Sequence, residues 1–145
     1  MFTPDTLLNR VVLITGGGTG LGATMAKCLA LHGARVGILG RREAPLKATV
    51  EELRASGAVA EYVAADVRDA GSIERAFSTL EESLGPIDTV VNNAAGNFFC
   101  FSEELSSNAF KSIVDIVLVG SFHVSTEFAR RRFARNERGC ILNIV

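Results

Sequence analysis

A doubly wound α/β fold with a parallel sheet in the order 3-2-1-4-5 is the class that these 145 residues predict. Three observations lead there. Short β-rich apolar runs alternate with longer segments of helical periodicity along the whole chain. The first runs, such as Val11-Val12-Leu13-Ile14, lack polar alternation, as expected of central strands covered on both faces. The first run also meets a glycine-rich turn, Thr15-Gly16-Gly17-Gly18-Thr19-Gly20-Leu21-Gly22, that opens directly into a helical pattern.

Arg10 to Thr15 is the first strand. From Gly20 a helix carries Leu21, Met25, Cys28, Leu29 and Leu31 at helical spacing, and Gly33 supplies its stop. Arg35 to Leu39 forms the second strand. Pro45 suits the first turn of a helix with Leu46, Val50 and Leu53, ending at Gly57. Val59 to Ala65 is the third strand, closing on Asp66-Val67-Arg68-Asp69. Ser72 is the expected cap of a helix whose apolar stripe is Ile73, Ala76, Phe77, Leu80 and Leu84, broken by Gly85-Pro86. Ile87 to Val91 is strand four, running into Asn92-Asn93-Ala94-Ala95-Gly96-Asn97-Phe98. Residues 107–136 make one long helix, so apolar around Ile113 to Phe122 that it needs cover on every side, from neighbouring helices or from a second copy in a homo-oligomer. Arg130-Arg131-Arg132 read as its solvated C-terminus. Cys140 to Val145 is strand five. Residues 1–145 are read as one domain.

Composition narrows the function classes. A formal net charge of −1, with charged residues at 21%, disfavours nucleic acid as the main partner. Cys28, Cys100 and Cys140 have no metal-ligand spacing and read as reduced thiols; no metal is expected. The N-terminus lacks a basic and apolar leader, and no stretch reads as long enough to span a bilayer, so a cytoplasmic protein without a membrane partner is expected. His32 and His123 read as structural or exposed helix residues.

The glycine-rich turn has the build of a dinucleotide site. Glycines at 16, 20 and 22 let backbone N–H groups approach a pyrophosphate at the positive end of the new helix. Where an NAD site carries a carboxylate after strand two, this chain has Gly40 followed by Arg41 and Arg42. A guanidinium pairs with a 2′-phosphate that a carboxylate would repel, so NADPH is favoured over NAD. The other reading of the pair is an ordinary solvated loop.

At this point the sequence resembles the short-chain dehydrogenase/reductase family over essentially its whole length. The turn Thr15-Gly16-x-x-x-Gly20-x-Gly22 resembles its cofactor loop, Asp66-Val67 its adenine contact, and Asn92-Asn93-Ala94-x-Gly96 its strand-four motif. Finer wording, including Asn97-Phe98, Leu105-Ser106 and Asp115-Ile116-Val117-Leu118, is similar to the 2,4-dienoyl-CoA reductase branch. The resemblance implies a Rossmann domain in which Gly16, Gly18, Thr19, Gly20, Leu21, Gly22, Arg41, Arg42, Asp66, Val67, Asn93, Ala94 and Gly96 surround NADPH. It further implies that Asn97 acts beside the thioester carbonyl, with Arg68, Phe98 and Ser106 near an acyl-CoA substrate. A residue just past strand four sits where open α/β sheets bind ligands, and an Asn there can donate to an oxygen gaining enolate character. Asn97 could instead close a turn through its own side chain. Phe98, Phe99 and Phe101 read either as an apolar wall for an acyl chain or as core under a loop.

Two departures from the family stand out. Val117 occupies the position where most members carry an Asn in the long helix, which fits the dienoyl-CoA reductase branch. The catalytic Ser and Tyr-x-x-x-Lys are absent: the only tyrosine, Tyr62, lies in strand three, and no lysine stands four positions after it. The apolar edge strand at the end of the chain adds to the expectation of an N-terminal portion, lacking the C-terminal strands and inactive alone. Rivals are a short-chain enzyme acting on 3-oxoacyl thioesters, ketones or alcohols, and a non-catalytic nucleotide-binding module.

Overall fold

A computed structural model describes residues 3–144. Its sheet has five parallel strands, β1 (Val11–Thr15), β2 (Arg35–Gly40), β3 (Ala60–Ala64), β4 (Thr89–Asn92) and β5 (Cys140–Asn143), in the order β3-β2-β1-β4-β5. All five begin within two residues of the sequence expectation. The expected fifth strand reaches Val145, which lies outside the described residues. Strand β1 is central, pairing Val12 with Val36 of β2 on one side and with Thr89 of β4 on the other.

The pleat sends alternate residues of β1 into separate cores. Val12 and Ile14 join Val36, Ile38, Leu46, Val50 and Leu53 beneath α1 (Gly20–Leu31) and α2 (Glu43–Ala55). Val11 and Leu13 join Ile73, Phe77, Leu80, Leu84, Val124 and Phe128 beneath α3 (Ala70–Leu84) and α5 (Gly120–Ala134). All five residues of β1 are buried, which explains its unbroken apolar run.

Several local expectations need correction. The cap of α3 is Asp69, whose side chain accepts the Gly71 amide at 2.9 Å; Ser72 already lies inside the helix, and its Oγ accepts from the Asp66 amide instead. Leu21 and Leu31 of α1 are exposed, so only part of its apolar stripe faces the core. The long helix is α4 (Ser107–Val114) joined to α5 by a π-helical turn, Asp115–Val119. It is covered on one side only: Ile116, Val124 and Phe128 are buried, while Phe110, Val117, Leu118, Phe122 and Phe133 are exposed. The 28-residue run Ser107–Ala134, with a window of hydropathy 1.3, is also long and apolar enough to cross a membrane, contrary to the sequence reading. That reading misjudged it because the apolar residues are interspersed with polar ones. Its buried stripe packs on the sheet, as a core helix does.

Arg131 and Arg132 are not solvated. Arg131 stacks over Phe77, 5.6 Å from the ring centroid, and binds Glu81 at 2.9 Å and Ser78 Oγ at 2.9 Å. Arg135 also binds Glu81, at 2.7 Å, and Arg132 donates to the carbonyls of Ile87 and Arg138. Only Arg130 remains largely exposed, ion-paired to Glu127. The basic cluster therefore clamps α5 to α3. Burial alone would raise the Glu81 carboxyl, but hydrogen bonds from Arg135 and Arg131 and from the Ile87 amide hold it below the usual carboxylate range.

A carboxyl whose folded pKa is depressed stabilises the fold above its unfolded pKa, and that contribution is lost as pH falls through the folded value. E81Q is therefore expected to reduce stability near neutral pH by about 1–3 kcal/mol and to flatten its decline on acidification. Urea unfolding between neutral and acid pH measures both effects.

Candidate nucleotide site

The site lies where β1, β2, β3 and β4 end, at the carboxyl edge of the sheet. Its central fixture is Thr15, buried at the end of β1. The Thr15 Oγ1 accepts the amides of Asn93 at 2.9 Å and Ala94 at 2.8 Å, and Asn93 Nδ2 donates back to the Thr15 carbonyl at 3.0 Å. These bonds fix the strand-four motif against the glycine-rich turn.

The turn itself requires glycine at two places above all. Gly16 has φ +67°, a left-handed conformation. A Cβ on Gly22 would sit 2.3 Å from the Gly16 carbonyl oxygen and 2.7 Å from Asn93 Nδ2, so the first turn of α1 can approach the loop only without a side chain. Thr49 Oγ1 from α2 donates to the Gly18 carbonyl at 3.2 Å and ties the loop from its other side.

Between these elements runs a cleft of about 170 Å³. Of the residues singled out in the sequence, Gly16, Gly18, Thr19, Arg41, Arg42, Asp66, Val67 and Ala94 line it. Gly20, Leu21, Gly22, Asn93 and Gly96 do not: Gly22 and Asn93 brace the loop from behind, Leu21 is exposed, and a Cβ on Gly96 would meet Ile116 Cδ1 at 2.7 Å. Gly40, which stands where an NAD site carries a carboxylate, also lines the cleft, and Pro45, Leu46, Ala65, Ala95 and Ile116, which the sequence did not single out for the site, complete the wall. Their signal was position alone, since each follows or faces a strand end. Thr15 and Thr49 were likewise missed as braces; a polar residue within an apolar strand, and another beside an apolar helix stripe, were the available clues.

Arg41 and Arg42 are exposed at the cleft, and neither guanidinium has a hydrogen-bond or ion-pair partner among the described residues. Asp66 is engaged: Arg68 Nε approaches its two carboxylate oxygens at 3.0 and 3.1 Å, with Nη2 adding a further contact. The side-chain hydrogen bond from Arg68 is the main reason that the Asp66 carboxyl lies below its ordinary range; partial burial opposes it, and the Arg41 charge adds to the lowering. The cleft thus combines two unpaired cations with one neutralised carboxylate, a balance suited to an anion.

The remaining sequence-predicted residues lie outside the cleft. Asn97 is exposed, and its Oδ1 accepts the Phe98 amide at 2.8 Å, leaving its amide nitrogen as the free donor end. Ser106 caps α4, accepting the Ala109 amide at 3.2 Å. Phe98, Phe99 and Phe101 are exposed, so they are not core under a loop. Tyr62 donates to Glu43 at 3.2 Å; desolvation and that carboxylate push its phenol pKa up. His32 and His123 have the structural roles expected of them, with ring nitrogens at the carbonyls of Cys28 and Val67. The three cysteines are exposed and free.

Sheet order, glycine turn and cleft define a nucleotide-binding α/β protein of the Rossmann type. Residues 10–145 match the short chain dehydrogenase family, and the chain belongs to it. An uncharacterised oxidoreductase of Caenorhabditis elegans is 44% identical over 144 residues, covering 98% of this chain and 46% of the relative. A peroxisomal 2,4-dienoyl-CoA reductase [(3E)-enoyl-CoA-producing] of Arabidopsis thaliana is 36% identical over 150 residues, covering 99% and 50%. Among solved structures, the F189W actinorhodin polyketide ketoreductase with NADPH superposes with a TM-score of 0.87 at 33% identity, covering all of this chain and 55% of that one. The chain spans about half the length of the curated relatives it matches.

Substituting Gly22 by Ala forces the Gly16 loop and α1 apart. We expect G22A to lose about 1–3 kcal/mol of stability, measured by urea unfolding, and to bind a dinucleotide at least about tenfold more weakly, measured by fluorescence titration.

Proposed function

We propose that this chain is the NADPH-binding portion of an oxidoreductase that reduces unsaturated fatty acyl-CoA, on the pattern of a 2,4-dienoyl-CoA reductase in fatty-acid breakdown. The observation that carries the cofactor choice is the pair of unpartnered guanidiniums, Arg41 and Arg42, where a 2′-phosphate would fall. The residues fit the group: the loop leaves no space for a side chain at Gly22, and the cleft beside it carries surplus positive charge. Loop amides from Gly16 to Leu21, with Gly22 behind them, would hold the pyrophosphate, and Asp66 and Val67 the adenine end. Asn93, Ala94 and Gly96 would shape the opposite wall. Bound there, NADPH supplies a hydride.

On the substrate side, we assign Asn97 to the thioester oxygen. Its Oδ1 is already engaged, which leaves the amide hydrogens to donate as enolate charge develops. Phe98 gives an exposed apolar contact for the acyl chain, and Ser106, at the start of α4, is assigned to the same substrate. Arg68 is assigned to the acyl-CoA, sharing its charge with Asp66. The exposed apolar face of α4 and α5, including Leu118 and Phe122, is proposed as the contact of a homo-oligomer. The location proposed is cytoplasmic; the Arabidopsis relative is named as peroxisomal.

R41A/R42A is expected to weaken NADPH binding by at least about tenfold while changing NADH affinity by less than about twofold, both by fluorescence titration. Equal losses for the two nucleotides would contradict the 2′-phosphate role. With dienoyl-CoA added, the 145-residue chain alone is expected to bind NADPH without oxidising it, because its one tyrosine, Tyr62, lies in β3 outside the cleft with no lysine four positions after it.

A further inference from the structure

The loop carrying Asp66 and Val67 is held over the cleft from two directions. From its own side, Ser72 Oγ accepts the Asp66 amide at 3.3 Å, and Arg68 grips the Asp66 carboxylate. From the other side comes α5. His123 Nδ1 lies 3.0 Å from the Val67 carbonyl oxygen. Because a carbonyl oxygen only accepts, Nδ1 must carry the hydrogen of that bond. It is the one hydrogen bond that the Val67 carbonyl accepts among the described residues.

Gly120 lies three residues before His123 on the same helical face, and a Cβ there would come within 2.5 Å of Val67 Cγ2. The helix is therefore seated directly against the Val67 side chain, while His123 holds the Val67 backbone. Val67 is buried and lines the cleft beside Asp66, so a shift of its carbonyl moves the wall itself. We propose that His123 is a positioning residue: its Nδ1–H fixes the Val67 carbonyl and thereby the wall that receives the adenosine end of the nucleotide. This inference rests on the cofactor reading given above.

The test compares the 145-residue chain with H123L, which keeps bulk without a donor, and H123Q, which keeps an N–H. Three probes are titrated: NADPH, 2′,5′-ADP for the adenosine end, and reduced nicotinamide mononucleotide for the other end. We expect H123L to weaken NADPH and 2′,5′-ADP by about fivefold, to leave the mononucleotide unchanged, and H123Q to recover most of the loss. Unchanged NADPH affinity in H123L overturns the proposal, as does an equal loss for all three probes or no recovery in H123Q. If the unsubstituted chain binds neither NADPH nor NADH, it is the cofactor reading that fails, and this inference falls with it.

Discussion

The Thr15 hydroxyl is the contact on which the site depends. It is buried at the end of the central strand and receives two amide hydrogens from the residues that follow β4. An unpaired amide in that position would cost on the order of 1–3 kcal/mol, so these bonds strongly favour one relation between the two strand ends. The glycine-rich turn leaves β1 at the same point. Its approach to α1 is set by the missing side chain of Gly22, and its distance from α2 by the Thr49 hydroxyl. The cleft is thus a consequence of how the strand ends are tied, with the flanking helices fitted around them.

Electrostatics divides the molecule into two regions with opposite treatment of charge. Between α3 and α5, Glu81 is nearly enclosed and meets both Arg131 and Arg135, so those arginines are spent on holding helices together. At the cleft, Arg41 and Arg42 are left without hydrogen-bond or ion-pair partners among the described residues, while Asp66 is neutralised by Arg68. Structural arginines and ligand-ready arginines are told apart by what surrounds them. In the sequence both are simply short basic runs, and Arg131 and Arg132 were accordingly misread as solvated.

Much of the fold was legible because the apolar runs of β1, β2 and β4 are short and separated by helical periodicity, which gives a parallel sheet, and the glycine-rich turn after β1 selects the dinucleotide-binding strand order among the doubly wound ones. The glycine turn, Arg41, Arg42, Asp66 and Val67 were legible because each occupies a strand end, where spacing along the chain translates into proximity in space. What escaped depended on contacts distant in sequence. Ile116 reaches the cleft through a π-helical turn that no periodicity announces, and the cap of α3 fell to Asp69 because the helix begins at Ala70, two residues before the serine that was expected to precede it. The membrane-length run Ser107–Ala134 shows the converse: composition alone does not distinguish an apolar helix on a sheet from one in a bilayer.

The account stands on one claim, that the cleft at the ends of β1, β2, β3 and β4 receives a nicotinamide dinucleotide with its adenosine end between Arg41 and Val67. The most direct measurement is backbone amide NMR of the isotope-labelled chain during NADPH titration. The account predicts saturable shifts concentrated at residues 16–21, 41–42, 66–67 and 94–96, with β5 unaffected. An absence of saturable shifts, or shifts clustered along β5 and the outer face of α4 and α5, would contradict it.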